Sequence, residues 1–145
     1  MAAHIRRQVR EAIGTALTGL TTTGSRVFQS RVYPLETTDL PGLLIYTGPE
    51  TLTPTTIHGP EVRERVHNVR VVGVAKQTAN LDDTLDAIVK EVEVAVAGMS
   101  IAGIASSISL ISIEEPELTG SAEQPTGQVS MTFEVNYFTF ANAPD

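Results

Sequence analysis

The strict alternation of apolar and polar side chains in QVSMTFEVNY, residues 128–137, is the strongest constraint on the fold. Successive side chains of a β-strand point to opposite faces of the sheet, so this segment predicts a strand with one buried face and one open face. The apolar positions on the predicted buried face are Val129, Met131, Phe133, Val135 and Tyr137. Another layer of the protein therefore has to cover one side of a sheet.

Two segments repeat apolar residues at helical spacing and can form that layer. In residues 4–20 the repeat is carried by Ile5, Val9, Ala12, Ile13, Ala16, Leu17 and Leu20. In the second helix it is carried by Leu81, Leu85, Ile88, Val89, Val92 and Val96. Such spacing predicts amphipathic helices with one core face each. We expect Asn80 to be the N-cap of the second helix and Gly98 its C-cap glycine.

Four further segments read as strands, and they are residues 26–33, 42–47, 61–75 and 106–115. Residues 48–60, rich in proline and glycine, are predicted to form a long loop, and residues 116–127 a turn-rich connection. The element order α-β-β-β-α-β-β predicts an α+β fold. Its sheet is expected to be largely antiparallel or mixed, with about five strands and both helices on one face. The length suits a single domain, residues 1–145, with a loop and arm insertion at about 48–68.

Charge is distributed unevenly along a chain whose net charge is −7. Residues 1–31 contain five arginines and one glutamate, whereas residues 81–145 contain Lys90 and eleven acids. This asymmetry indicates that oppositely charged surfaces meet, either within one subunit or between copies. The acidic total argues against a dedicated DNA binder, which normally has a basic face. No apolar run approaches the ~18 residues of a membrane span, and without cysteine the fold needs no disulfide.

The sequence contains no recognisable catalytic or metal-binding motif. Its three histidines lack metal-like spacing, and the glycines of GMSIAG, residues 98–103, are not followed by the lysine of a phosphate-binding loop. Asp82, Asp83 and Asp86 are close enough in sequence to hold a divalent cation, but favourable placement at a helix start explains them more simply. We therefore predict no catalytic, cofactor-binding or metal-binding residues and no enzymatic activity.

Several segments taken together resemble a known family. These segments are the helix HIRRQVREAIGTALTGL, then SRVYPLETTDLPGLLIYT, then RVVGVAKQTANLDDTLDAIVKEVEVAV, and the final alternating strand. In this combination the chain resembles the small tail terminator, or tail completion, proteins of long-tailed bacteriophages and phage-like particles. The resemblance covers about residues 3–138 and includes no catalytic signature.

The resemblance implies a structural role without cofactors. Members of this family form a hexameric ring on the head-proximal end of the tail tube, which ends tube polymerisation and presents a surface to the head connector. The implied partners are further copies of the chain, the major tail tube protein and a head-completion or connector protein. Genomic DNA would pass through the bore without sequence-specific binding. The implied location is the tail–neck region of the virion, with synthesis in the bacterial cytoplasm and no membrane association.

Two sets of residues are candidates for such contacts. A ring of identical copies needs a head-to-tail contact that closes, and complementary charge can support it. The subunit-interface candidates are therefore Arg6, Arg7, Arg10, Asp82, Asp83 and Asp86. Candidates for contact with the tube or connector come from the insertion, and they are Glu50, Leu52, Ile57, His58, Arg63 and Arg65. The exposed aromatics expected at Phe138 and Phe140 also indicate a partner surface.

Three alternative functions remain open at this stage. The chain could be another neck protein, a stopper or adaptor, since small connector proteins share this α+β arrangement. It could bind a small molecule, which would require a pocket with convergent polar groups. It could also be a homodimeric scaffold.

Overall fold

The computed structural model describes residues 4–29, 40–54, 61–76, 80–99, 105–114, 116–121 and 124–140. Within these ranges two helices and six strands follow one another along the chain. They are α1 (Ile5–Leu17), β1 (Val27–Gln29), β2 (Gly42–Pro54), β3 (Val62–Lys76), α2 (Leu81–Gly98), β4 (Ser107–Ile113), β5 (Glu117–Ser121) and β6 (Gln124–Phe140). The single-domain boundary at residues 1–145 stays a prediction.

The six strands form one mixed sheet in the order β1-β2-β3-β6-β4, with β5 also paired to β6. β1 is parallel to β2, and the other pairs are antiparallel. β4 and β5 follow one another along the same side of β6, where the backbone N–H of Glu114 donates to the Ser130 carbonyl between them at 2.9 Å. The sheet is thus five strands wide, and the predicted α+β class and element order are confirmed.

Both helices pack on one face of the sheet. The side chains buried between the two layers include Ile5, Ile13, Leu17, Leu85, Ile88 and Val92 from the helices and Leu43, Val71, Met131 and Phe133 from the strands. Gly73 permits a close approach there, because a Cβ at this position would lie 2.7 Å from Ile88 Cγ2. A smaller apolar cluster around Leu44, Val72 and Val74 lies apart from this core. No helix in the described part of the chain is long and apolar enough to span a membrane.

Two local predictions were wrong in their boundaries. Residues 48–54, predicted as loop, belong to β2, because β2 stays paired with the equally extended β3 as far as Pro54–Arg63. Pro49 is accommodated at the register shift between Thr47 and Glu50, where a residue without a backbone donor is tolerated. Most of the predicted 116–127 connection is β5 and the start of β6, which pair with each other. Residues 30–33 of the first predicted strand lie outside the described ranges.

The ends of the helices also differ from expectation. α1 begins at Ile5, where the His4 Nδ1 accepts the Arg6 backbone N–H at 3.0 Å, and it ends before Gly19, whose φ is 94°. Asn80 is the N-cap residue of α2, as predicted. Its φ of 59° departs from the extended backbone that side-chain capping favours, and its side chain makes no capping hydrogen bond. Gly98 is the last helical residue, and the extended Met99 is the C-cap.

Candidate interaction surfaces

Parts of three strands project beyond the start of α1, and we call them the arm. The arm consists of Glu50–Pro54 of β2, Val62–His67 of β3 and Val135–Phe140 of β6. Its base is the row Glu50, His67 and Val135, and near its end Val62 pairs with Phe140. At ~3.3 Å per residue, β2 extends about 13 Å from Glu50 to Pro54. β1 pairs only with Leu43–Ile45, so beyond that row the outer side of β2 has no strand partner among the described residues.

A buried cluster of charged and polar side chains joins α1 to the base of the arm. The Glu50 side chain is 7% exposed and lies between two arginines, with its Oε2 3.3 Å from Arg6 Nε and its Oε1 3.5 Å from Arg65 Nη1. The buried Tyr137 hydroxyl donates a hydrogen bond to Glu50 Oε1. Arg65 Nε also donates to the buried Thr139 Oγ1 at 2.8 Å. We call these residues the Glu50 cluster.

Charge and burial in the Glu50 cluster hold the arm in a fixed relation to α1. Burial raises the pKa of the Tyr137 hydroxyl, and the hydrogen bond to Glu50 raises it further. The tyrosine is therefore a permanent donor to the carboxylate at neutral pH. The Arg6 side chain, which also reaches the Gly48 carbonyl at 3.4 Å, fastens the first turn of the helix to the same carboxylate. A buried carboxylate with two cations and a hydroxyl meets the requirement that buried charges be paired.

His67 lies beside Glu50 and is fully buried. Neither ring nitrogen has a hydrogen-bond partner of good geometry in the described part of the chain, although the Pro49 carbonyl is near enough to favour the protonated ring. Burial lowers the pKa of His67; Glu50 opposes this shift, whereas Arg6 and His4 add to it. His67 is thus neutral at pH 7, although it lies next to the charged side chains of Glu50 and Arg6.

The face of the arm opposite the Glu50 cluster carries two exposed phenylalanines. Phe138 is 55% exposed and Phe140 is 52% exposed. Phe140 pairs with Val62, and Phe138 pairs with Glu64. Large exposed aromatics side by side are uncommon on a monomeric surface and mark contact sites. The expectation that these two phenylalanines are exposed is confirmed.

The predicted interface arginines all have partners within the chain. Arg6 belongs to the Glu50 cluster, and Arg7 Nε donates to Glu11 Oε1 at 2.7 Å on the exposed side of α1. Arg10 donates to Gln29 Oε1 at 3.2 Å and to Thr47 Oγ1 at 3.3 Å. None of these contacts involves an acid from residues 81–145. Asp82, Asp83 and Asp86 are exposed in the first turns of α2, so the pairing of the two charged sets between copies stays a prediction.

The predicted tube-contact and connector-contact residues divide into three groups. Glu50 and Arg65 are buried in the Glu50 cluster and are therefore not surface contacts of the isolated chain. Leu52 is 41% exposed on the arm, and Arg63 pairs with Glu61 at 3.1 Å. Ile57 and His58 lie outside the described residues. The prediction separated Arg6 from Glu50 and Arg65, whereas the structure brings all three together.

Two concave surfaces formed by described residues are candidate binding sites. The first is a groove of about 610 Å³ between the turn after α1 and the outer side of α2. It is lined by Gly19, Leu20, Thr21, Ala87, Lys90, Glu91, Val94 and Ala95. The second, of about 310 Å³, lies on the sheet near Tyr46, whose ring stacks with Arg70. Neither contains a nucleophile paired with a base. No group of three or more metal-ligating side chains occurs in the ranges that the structure describes.

Comparisons with known proteins give a distant structural likeness. No protein-family model and no curated protein matches the sequence. Among solved structures, the chain is similar to a chain of the "Virion of native gene transfer agent (GTA) particle". The two share 18% identity over 92% of each chain, with a TM-score of 0.47. So remote a likeness does not assign a function to this chain.

Proposed function

We propose that the chain is a structural subunit of a phage-like particle that forms a ring on the head-proximal end of the tail tube. The ring ends tube polymerisation and provides the surface that joins the tail to the head connector. The family resemblance of residues 3–138 supports this role. The structural observation that carries it is the arm, a three-stranded projection that exposes Phe138 and Phe140 and is fixed to α1 by a buried ion cluster.

A rigid projecting arm suits assembly better than catalysis. Interfaces are formed by exposed aromatic and aliphatic side chains on a preorganised framework. In the proposed ring the arm contacts either the next subunit, the tail tube protein or the connector, and the ring is a homohexamer. Of the residues predicted to contact the tube or connector, Leu52 and Arg63 are the described ones that lie outside the buried Glu50 cluster. DNA passes through the bore without sequence-specific contacts, and the protein resides in the tail–neck region after synthesis in the bacterial cytoplasm.

The proposal can be tested by locating the protein in particles. A tagged copy of the chain is expressed in cells that produce the particle, and headless tails are separated from tailless heads before gold labelling and electron microscopy. We expect label at one end of the headless tails. Label on the tailless heads alone would identify a stopper or adaptor instead. Absence of label from both fractions would contradict a virion role and return the small-molecule-binding alternative to consideration.

A further inference from the structure

Two histidines lie where α1 meets the base of the arm. His4 is the N-cap residue of α1, and its Nδ1 accepts the backbone N–H of Arg6 at 3.0 Å. His67 is the middle residue of the arm base, between Glu50 and Val135, and its side chain is fully buried. The two rings are close enough that a charge on His4 lowers the pKa of His67. We call this pair the histidine joint.

The cap that His4 provides exists only while its ring is neutral. A neutral imidazole has one acceptor nitrogen, whereas a protonated ring has two donors and no acceptor. Protonation therefore removes the acceptor of the Arg6 N–H and places a cation at the positive end of the helix dipole. The first turn of α1 contains no acid to balance that charge, and Arg6 and Arg7 add two further positive charges there. The first turn of α2, by contrast, contains Asp82 and Asp83.

The surroundings of His67 are also arranged for a neutral ring. Neither ring nitrogen has a partner of good geometry in the described part of the chain, so the ring is held by packing. A buried polar group without a partner is destabilising, and such a group in a native fold calls for an explanation. The charged and titratable side chains around the ring are Glu50 on β2, His4 and Arg6 on α1, Arg65 on its own strand and Tyr137 on β6.

We propose that the histidine joint is an acid-sensitive contact, which holds the start of α1 on the base of the arm while both rings are neutral and releases it when they are protonated. The protonated His67 ring then pairs with the Glu50 carboxylate, which already has two cationic partners. The partner displaced is Arg6, because its side chain is 40% exposed whereas that of Arg65 is 8% exposed. The paired strands β3 and β6 stay intact, since their register is continuous along the arm. This inference concerns a single chain and does not depend on the proposed function.

The direction of the effect follows from the state that binds the proton more tightly. Burial lowers the pKa of His67 while α1 is held, so the released state takes up a proton first as the pH falls. The ordinary pKa of a histidine is about 6.5. Each pH unit below that value therefore favours release by at most about tenfold for each histidine. At pH 5.0 a single histidine shifts the equilibrium by at most about 30-fold.

Amide hydrogen exchange of the full chain, followed by NMR and expressed as protection factors, tests the joint. The reporters are the backbone N–H groups of Arg7 and Gln8, which donate to the His4 carbonyl at 2.9 and 3.2 Å. The matched control is the Thr84 N–H, which donates to the carbonyl of the α2 N-cap at 3.2 Å. Between pH 7.5 and 5.0 we expect a fall of at least about tenfold at the reporters and of less than about threefold at the control. Equal falls in both helices would overturn the proposal, because acid would then loosen the whole chain.

Non-titrating variants separate the histidines from the neighbouring carboxylate. His4→Asn keeps a side-chain acceptor at the N-cap, and His67→Leu removes the buried ring. The double variant should retain its protection at Arg7 in acid, whereas a fall as large as in the unmodified chain would overturn the proposal and indicate protonation of Glu50. Should the buried substitution prevent folding, His4→Asn alone should reduce the fall several-fold, and an unchanged fall would equally overturn the proposal. Arg6→Gln should lower protection at pH 7.5 to the level of the unmodified chain at pH 5.0, and undiminished protection would show that Arg6 does not hold the helix.

Discussion

Replacing Glu50 with alanine is the sharpest test of how the arm is held. The substitution leaves the Arg65 guanidinium, on a side chain that is 8% exposed, without its carboxylate and with neutral acceptors such as the Thr139 hydroxyl. Removing one member of a buried ion pair typically costs about 3–5 kcal/mol. The Tyr137 hydroxyl also loses its acceptor, which costs about 1–3 kcal/mol when the group stays buried. The Arg6 side chain is 40% exposed, although its Nε, which faces Glu50, is buried.

These contributions share one carboxylate and overlap, so we expect a total loss of about 4 kcal/mol in the free energy of unfolding. For a chain of this size the loss corresponds to a fall of roughly 12 °C in Tm. Urea unfolding followed by circular dichroism measures the first quantity, and calorimetry measures the second. Glu11→Ala is the matched control, because it removes a carboxylate paired with Arg7 on the exposed side of α1. That variant should have a Tm indistinguishable from the unmodified protein.

An equal Tm loss in Glu50→Ala and Glu11→Ala would refute the reasoning, because it would mean that the Glu50 carboxylate is as well hydrated as the exposed one. A second result would also contradict it. Replacing the Glu50–Arg65 pair by Leu and Met removes both charges, and buried ion pairs replaced in this way often regain stability. The double variant should therefore be more stable than Glu50→Ala. If it were less stable, the unpaired arginine would not be the cause of the loss.

Three further predictions concern side chains packed around the core. The pKa of His67 in the folded chain lies below its ordinary value of 6.5, so as the pH falls the unfolded chain takes up a proton before the folded chain does. The contribution of His67 to stability should therefore be complete above pH 6.5 and decrease below it, by at most about 1.4 kcal/mol per pH unit. Urea titrations at several pH values should show a shallower loss for His67→Leu, and identical pH profiles would contradict this. Tyr137→Phe should cost about 2 kcal/mol of stability. The stability of the variant should also depend less on pH above pH 9, because one fewer tyrosine ionises in the unfolded chain. An unchanged Tm would mean that the hydrogen bond of the Tyr137 hydroxyl adds nothing to stability. Gly73→Ala should cost about 1–3 kcal/mol through collision with Ile88 Cγ2. Ile88→Leu, which removes this β-branch methyl, should recover part of that loss in the double variant; strictly additive losses would contradict the collision.

The elements with regular periodicity could be predicted from the sequence. β6 and α2 repeat apolar residues at periods of 2 and 3.6, and the structure buries the expected side chains, such as Met131 and Phe133 in the strand and Leu85 and Ile88 in the helix. Residues 48–54 were missed because PETLTP has the local composition of a turn. A signal was nevertheless present, since the long β3 needs partners for its backbone groups along its whole length.

The Glu50 cluster could not be predicted, because it joins residues that are far apart in the sequence. Arg6, Glu50, Arg65 and Tyr137 come from one helix and three strands, and only the strand register brings them together. Part of the signal lies in β3, where Arg65 and His67 have the same parity as the buried Val69 and Val71. Charged residues on the core face of a strand indicate that a buried partner exists. The identity of that partner follows only from the fold.

The length of the tails is the measurement that tests the central claim most directly. Particles are collected from cells that lack the gene and from cells in which it is restored, and tail lengths are measured by electron microscopy. If the chain is a ring that stops tube polymerisation, its removal should give overlong tails of variable length without heads attached, and restoration should return a single length. Tails of normal, uniform length in its absence would contradict the proposed function.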